Sequence, residues 1–105
     1  MKTPNHRGVF TLIKIIAKRL VREECIDDYL RMTAELVSAS QAEPGCVTYT
    51  LNRCAENPRL FCFIEIWKDQ AAIEAHNTSE HFTRIVPQLA KYIEIGYPVE
   101  HYTEV

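Results

Sequence analysis

Glycine is scarce in this chain, three residues in 105, and proline stands at five, so neither a collagen-like repeat nor a flexible low-complexity linker can be built from it. An excess of one charge is also missing. Twelve Lys and Arg face fourteen Asp and Glu, and no basic block is present to displace counterions from a phosphate backbone. Nucleic acid is therefore not an expected partner. No apolar run approaches the roughly 20 residues that a membrane-crossing helix needs. The stretch Met1 to Arg7 followed by Val9 to Ala17 imitates a secretion signal, but Lys14 interrupts the apolar run and no small-residue cleavage site follows. The reading is a cytoplasmic protein without membrane contact, with secretion as the alternative. Cys25, Cys46, Cys54 and Cys62 contain neither a C-x-x-C redox pair nor a zinc-knuckle rhythm. They read as reduced small hydrophobes, and a disulfide stays an open alternative. Absent too are G-x-G-x-x-G, the P-loop and the G-x-S-x-G elbow, so no nucleotide cradle or catalytic triad is legible. No flavin, haem or stoichiometric metal is expected.

What is present is one domain's worth of chain, 47% hydrophobic and 25% charged. A polar tail over residues 1–10 precedes a domain over 11–105. Val9 to Leu20 is rich in β-branched residues and carries apolar side chains on both parities, which predicts a first strand covered on both faces. Acidic Glu23, Glu24, Asp27 and Asp28 then open a segment with Ile26, Tyr29, Leu30, Thr33, Leu36, Val37 and Ser40 at spacings of three and four, an amphipathic helix that must stop before Glu43-Pro44-Gly45. Cys46 to Arg53, the turn Ala55 to Pro58 and Arg59 to Lys68 make a hairpin. Asp69 predicts the cap of a short helix through His76. The break Asn77-Thr78-Ser79 recaps another helix, in which Pro87 either makes a kink or starts a new turn. Glu94 to Val105 alternates as strand four, with Pro98 placing it at an edge.

The order β-α-β-β-α-β is the split, ferredoxin-like plan: an α+β fold whose antiparallel sheet carries both helices on one face. On strand three the parity Leu60, Cys62, Ile64 and Ile66 is assigned to the helices. The parity Phe61, Phe63, Glu65 and Trp67 is then too aromatic to meet solvent, and a second copy of the sheet is the expected cover. A homodimer with facing sheets follows, and the tail Tyr97 to Val105 is expected to pair across its boundary.

Chemistry concentrates nearby. Glu65 lies between Phe63 and Trp67, where lost hydration raises a carboxyl's pKa and suits it to proton transfer near neutrality; the bland alternative is a carboxylate satisfied by Tyr49 or by backbone donors. His76 and His81 flank the capping break and are candidate bases, although a histidine at a helix end is also favoured by the dipole alone. The two histidines with Glu65 can be written as a two-histidine, one-carboxylate iron set, but a spacing of five across a break does not bring both rings to one helix face. His6 and His101 join no constellation.

The ordered pieces Glu43-Pro44-Gly45 with Tyr49, Phe63-Ile64-Glu65-Ile66-Trp67, Ala72 with His76, and His81-Phe82 resemble the antibiotic-biosynthesis monooxygenase (ABM) domain from about Thr11 to the C-terminus. The resemblance implies a dimeric α+β barrel and, in several members, oxygenation of a quinol or polyketide-like aromatic by molecular oxygen without metal or flavin. It carries over Glu65, His76 and His81 as catalytic positions. Trp67 and Tyr49, with Phe61 and Phe63 as an apolar wall, would bind substrate. The haem-degrading branch would place its iron-binding His near Val86 and its Asn near Lys18 or Arg19, so that activity is not implied. Two other readings stand beside the monooxygenase: an isomerase using the same proton shuttle, and a non-catalytic ligand-binding dimer.

Overall fold

The computed structural model describes residues 11–105. The expected tail over 1–10, the first two residues of the expected strand one, and His6 lie outside the described residues. β1 (Ile13–Val21) leads through a single 3-10 turn, Glu23–Cys25, into α1 (Ile26–Gln41). β2 (Cys46–Cys54) and β3 (Asn57–Trp67) form the hairpin, α2 (Gln70–Asn77) and α3 (Glu80–Leu89) follow, and β4 (Ile93–Gly96) and β5 (Glu100–Thr103) close the chain. The sheet runs β2-β3-β1-β4, entirely antiparallel, with β5 also on β1. This is the ferredoxin-like α+β arrangement that the element order predicts.

Local chemistry accounts for the elements. Asp69 Oδ1 accepts from the Ala72 amide at 2.8 Å and starts α2, and Ser79 Oγ accepts from the Phe82 amide at 3.3 Å and starts α3, so the break between them is a pair of caps. Pro87 neither ends α3 nor starts a turn; the helix runs on to Leu89. α1 buries Tyr29, Thr33, Leu36 and Ser40, one stripe at spacings of four, three and four.

Three expectations need correction. The last strand is not one element. Around Pro98, which can donate no ladder hydrogen bond, the chain leaves the sheet, so β4 pairs with Arg19–Val21 and β5 with Ile13–Ile16 on the same edge of β1. β5 therefore pairs within its own chain. The third correction concerns the faces of the sheet. Phe61, Phe63, Glu65 and Trp67 are buried beneath the helices, Phe61 against Tyr29 of α1 at 5.4 Å between ring centroids, while Ile64 on the other parity is 37% exposed. Both parities of β3 are apolar, but the space between sheet and helices is what large rings fill. The aromatic face is thus the core of this chain. The face left open carries Leu60, Cys62, Ile64 and Ile66.

All four cysteines are free, and among the described residues no helix is long and apolar enough to cross a membrane.

Candidate functional site

The register sets a row of side chains on the helix-facing side of the sheet: Tyr49 of β2 opposes Glu65 of β3, Glu65 opposes Ile15 of β1, and Ile15 opposes His101 of β5. All four line a cavity of about 480 Å³ between sheet and helices, within the range of small-molecule sites. Phe63, His76, Phe82 and Arg19 line it as well. The walls are mostly apolar, so a bound molecule is drawn out of water and every charge inside is strengthened.

Glu65 is 7% exposed, and its Oε1 accepts from the Trp67 indole N–H at 2.8 Å. Burial pushes its carboxyl up to about 7, against the opposing effects of the Trp67 hydrogen bond and the Arg19 charge, with the Glu43 charge adding to the rise. The partner that satisfies Glu65 is thus Trp67 and not Tyr49, whose own hydroxyl is driven upward by burial and by the charge of Glu65.

His76, at the end of α2, presses its ring on Trp67 with centroids 4.5 Å apart and against Phe82 at 5.0 Å. Its Nδ1 lies 2.7 Å from Glu43 Oε2, and the Nε2 of His81 lies 2.6 Å from the same oxygen. A carboxylate only accepts, so Nδ1 of His76 and Nε2 of His81 carry protons there. Nε2 of His76 is left as the unprotonated nitrogen of a ring that lines the cavity. Burial lowers the pKa of His76 and keeps it neutral, although the hydrogen bond and charge of Glu43 pull the other way; the His81 charge adds to the lowering.

Glu43 reaches this position because of the turn after α1. The Lys68 amide donates to Gly45 O at 2.9 Å, which ties the turn to the end of β3. A Cβ on Gly45 would stand 2.3 Å from Ala72 Cβ, so only glycine lets the turn close on α2.

The sequence-derived candidates therefore divide. Glu65, His76, Tyr49 and Phe63 meet at the cavity. Trp67 stands behind it, linking Glu65 to His76, and His81 also stands behind it, bonded to Glu43 with its ring centroid 6.0 Å from that of His76. Phe61 is not among the lining residues; it packs between Tyr29 and the Arg53 guanidinium. Glu43 was legible only as part of a turn, and His101 joined no constellation until β5 set it opposite Ile15. Glu43, His76 and His81 also hold one ligand atom each within 4.8 Å of one another, which replaces Glu65 by Glu43 as the carboxylate nearest both histidines. Their 2.6 and 2.7 Å separations are hydrogen-bond lengths, closer than the roughly 3.3 Å that two ligands keep around a tetrahedral zinc.

Comparison with known proteins agrees with this architecture. The chain is 27% identical over 93 residues to "Uncharacterized protein sll1783" of Synechocystis sp., covering 85% of this chain and 63% of that protein, so it spans less than two thirds of that relative's length. It is 35% identical over 66 residues to "Putative monooxygenase YcnE" of Bacillus subtilis, covering 63% of this chain and 70% of that one. A conserved protein from Methanosarcina mazei superposes with a TM-score of 0.88 at 26% identity, covering 90% of this chain and 94% of the other. The profile of the family described as antibiotic biosynthesis monooxygenase matches residues 12–88, from the start of β1 almost to the end of α3 and so across Glu43, Glu65, His76 and His81. The chain belongs to the antibiotic biosynthesis monooxygenase family.

Proposed function

We propose that the protein is a monooxygenase that oxidises a quinol-type hydroxylated aromatic with molecular oxygen in the cavity between sheet and helices, without a resident cofactor. The observation that carries the reading is the Glu43–His76 pair, a carboxylate-held imidazole whose ring lines an apolar cavity. Such a pair is built to take a proton, since the carboxylate fixes the tautomer and stabilises the imidazolium that forms.

A dihydroxyarene needs little more. His76 Nε2 removes a phenolic proton, and the electron-rich phenolate can then pass an electron to O₂. A dihydroxyarene plus O₂ contains the atoms and electrons of a hydroxyquinone plus one water, so no outside reductant enters the balance. Glu65, poised near neutrality, returns a proton to the departing oxygen. Tyr49 and Phe63 bracket the ring and keep bulk water away. Trp67 holds Glu65 from behind, and His81 holds Glu43.

The working unit is a homodimer. The sheet face turned away from the helices carries Leu60, Cys62, Ile64 and Ile66 in its middle, and a second copy laid sheet to sheet buries them as a symmetric interface. Oxygen uptake with a simple dihydroxyarene tests the activity. A proton-shuttling isomerase would leave oxygen untouched.

A further inference from the structure

The cavity has a second polar end that proton transfer does not use. Tyr29 of α1 is fully buried and lines the cavity, yet its hydroxyl has no hydrogen-bond partner among the described residues. An unpaired buried hydroxyl carries a desolvation cost, and a site that a ligand completes is one reason for it to persist. Tyr29 packs on Phe61, and Phe61 opposes Arg19 on β1. Arg19 also lines the cavity. One of its terminal nitrogens, Nη1, is held by the carbonyls of Lys18 and Tyr97 at 2.7 and 3.2 Å, which aims the guanidinium and leaves Nη2 and Nε without partners among the described residues. Four residue steps along β1, roughly 13 Å of strand, separate this pair from Ile15, the neighbour of Glu65. Side-chain reach shortens that gap to about the span of one substituted ring.

We propose that Tyr29 and Arg19 form a carboxylate subsite, so that the molecule held in the cavity is a hydroxylated aromatic acid rather than a neutral quinol. Both groups donate. The guanidinium supplies charge and a planar fork, and the phenol supplies the short O–H contact that a carboxylate accepts well. Burial holds the Tyr29 hydroxyl up at about 12, so it keeps its proton at any cellular pH, and the Arg19 charge opposes that rise. The other ionisable groups on the cavity wall are Glu65, His76 and His101, at the opposite end of the row, with Tyr49. A carboxylate at Arg19 therefore directs the hydroxylated edge of the ring toward Glu65 and His76. The identity of the ring rests on the oxygenase reading above; the subsite does not, and its test is binding alone.

The experiment is calorimetric titration without oxygen at pH 7 of 2,5-dihydroxybenzoate and its methyl ester into the full chain, into Tyr29→Phe and into Arg19→Gln. The unaltered protein should bind the acid at least tenfold more tightly than the ester. Each substitution should weaken acid binding about tenfold and leave ester binding within twofold. Tyr29→Phe should melt no lower than the parent in the absence of ligand, because it removes an unpaired group and little volume. Equal binding of acid and ester, an acid preference that survives both substitutions, or binding of neither molecule overturns the subsite. A clear acid preference with no oxygen consumption from any dihydroxyarene leaves the subsite standing and removes the oxygenase.

Discussion

Nδ1 of His76 lies 2.7 Å from Oε2 of Glu43, although 33 residues separate them in the chain. Without that carboxylate, His76 loses both its fixed tautomer and the charge that supports its imidazolium. Glu43→Gln should lower kcat tenfold or more while KM changes less than threefold. Because the Glu43 charge raises the His76 pKa against burial, its removal should also move the acid limb of the pH–rate profile to lower pH. An unchanged profile in a folded variant would reduce Glu43 to a turn residue.

Glu65 couples stability to pH. Its carboxyl ionises at about 7 in the folded protein against 4.5 as its ordinary value, so the folded state binds more protons between those limits. The contribution is fully present below pH 4.5 and is lost as pH rises to about 7, on the order of 3 kcal/mol at roughly 1.4 kcal/mol per unit. His76, with its lowered value, acts in the opposite sense, its contribution falling away as pH drops below 6.5. Glu65→Gln isolates the first effect, since the amide oxygen still accepts from Trp67. Melting curves should show the variant more stable than the parent at pH 8 and nearly equal at pH 4.5. Parallel curves across that range would contradict the buried, proton-holding carboxyl.

At Gly45 a single methyl is decisive, because it would overlap Ala72 on α2. Gly45→Ala should cost about 1–3 kcal/mol, the range for forcing extra volume into a packed contact, and should weaken catalysis by shifting α2 and His76 away from Glu43. Chemical denaturation measures the first and turnover the second. Loss of stability with full turnover would separate the turn from the site.

Ile64 stands at the centre of the open sheet face, 37% exposed in the isolated chain. Ile64→Lys should leave the fold intact by circular dichroism and convert the proposed homodimer to monomer, since an unpaired charge would be buried at a sheet-to-sheet contact. A dimer of unchanged mass by light scattering would place the interface elsewhere.

Much of the fold was legible because its signals are local. The Asp69 and Ser79 caps, the α1 stripe ending before Glu43-Pro44, and the hairpin each rest on a few neighbouring residues. The facing of β3 was not, because both of its parities are apolar and periodicity does not say which one the helices cover. Register across the sheet decides it: Thr48, Thr50 and Asn52 of β2 oppose Ile66, Ile64 and Cys62, so the polar edge of that face becomes visible only once Tyr49 is paired with Glu65. The same distinction divides the site. Glu65 and His76 announced themselves by residue type and neighbours, while Glu43 needed the turn folded onto α2, and Tyr29 looked like one more apolar position on α1.

Oxygen consumption with 1,4-dihydroxynaphthalene and with 2,5-dihydroxybenzoate as electron donors, in metal-free buffer with no flavin, tests the central claim most directly when the parent is compared with His76→Asn. Asparagine keeps an N–H for Glu43 and removes the nitrogen that would take the substrate's proton, together with the ring edge that packs on Trp67 and Phe82. The account requires enzyme-dependent oxygen uptake by the parent and a loss of about 10²-fold or more in the folded variant. Equal uptake by parent and variant, or none above the uncatalysed rate by the parent, would contradict it.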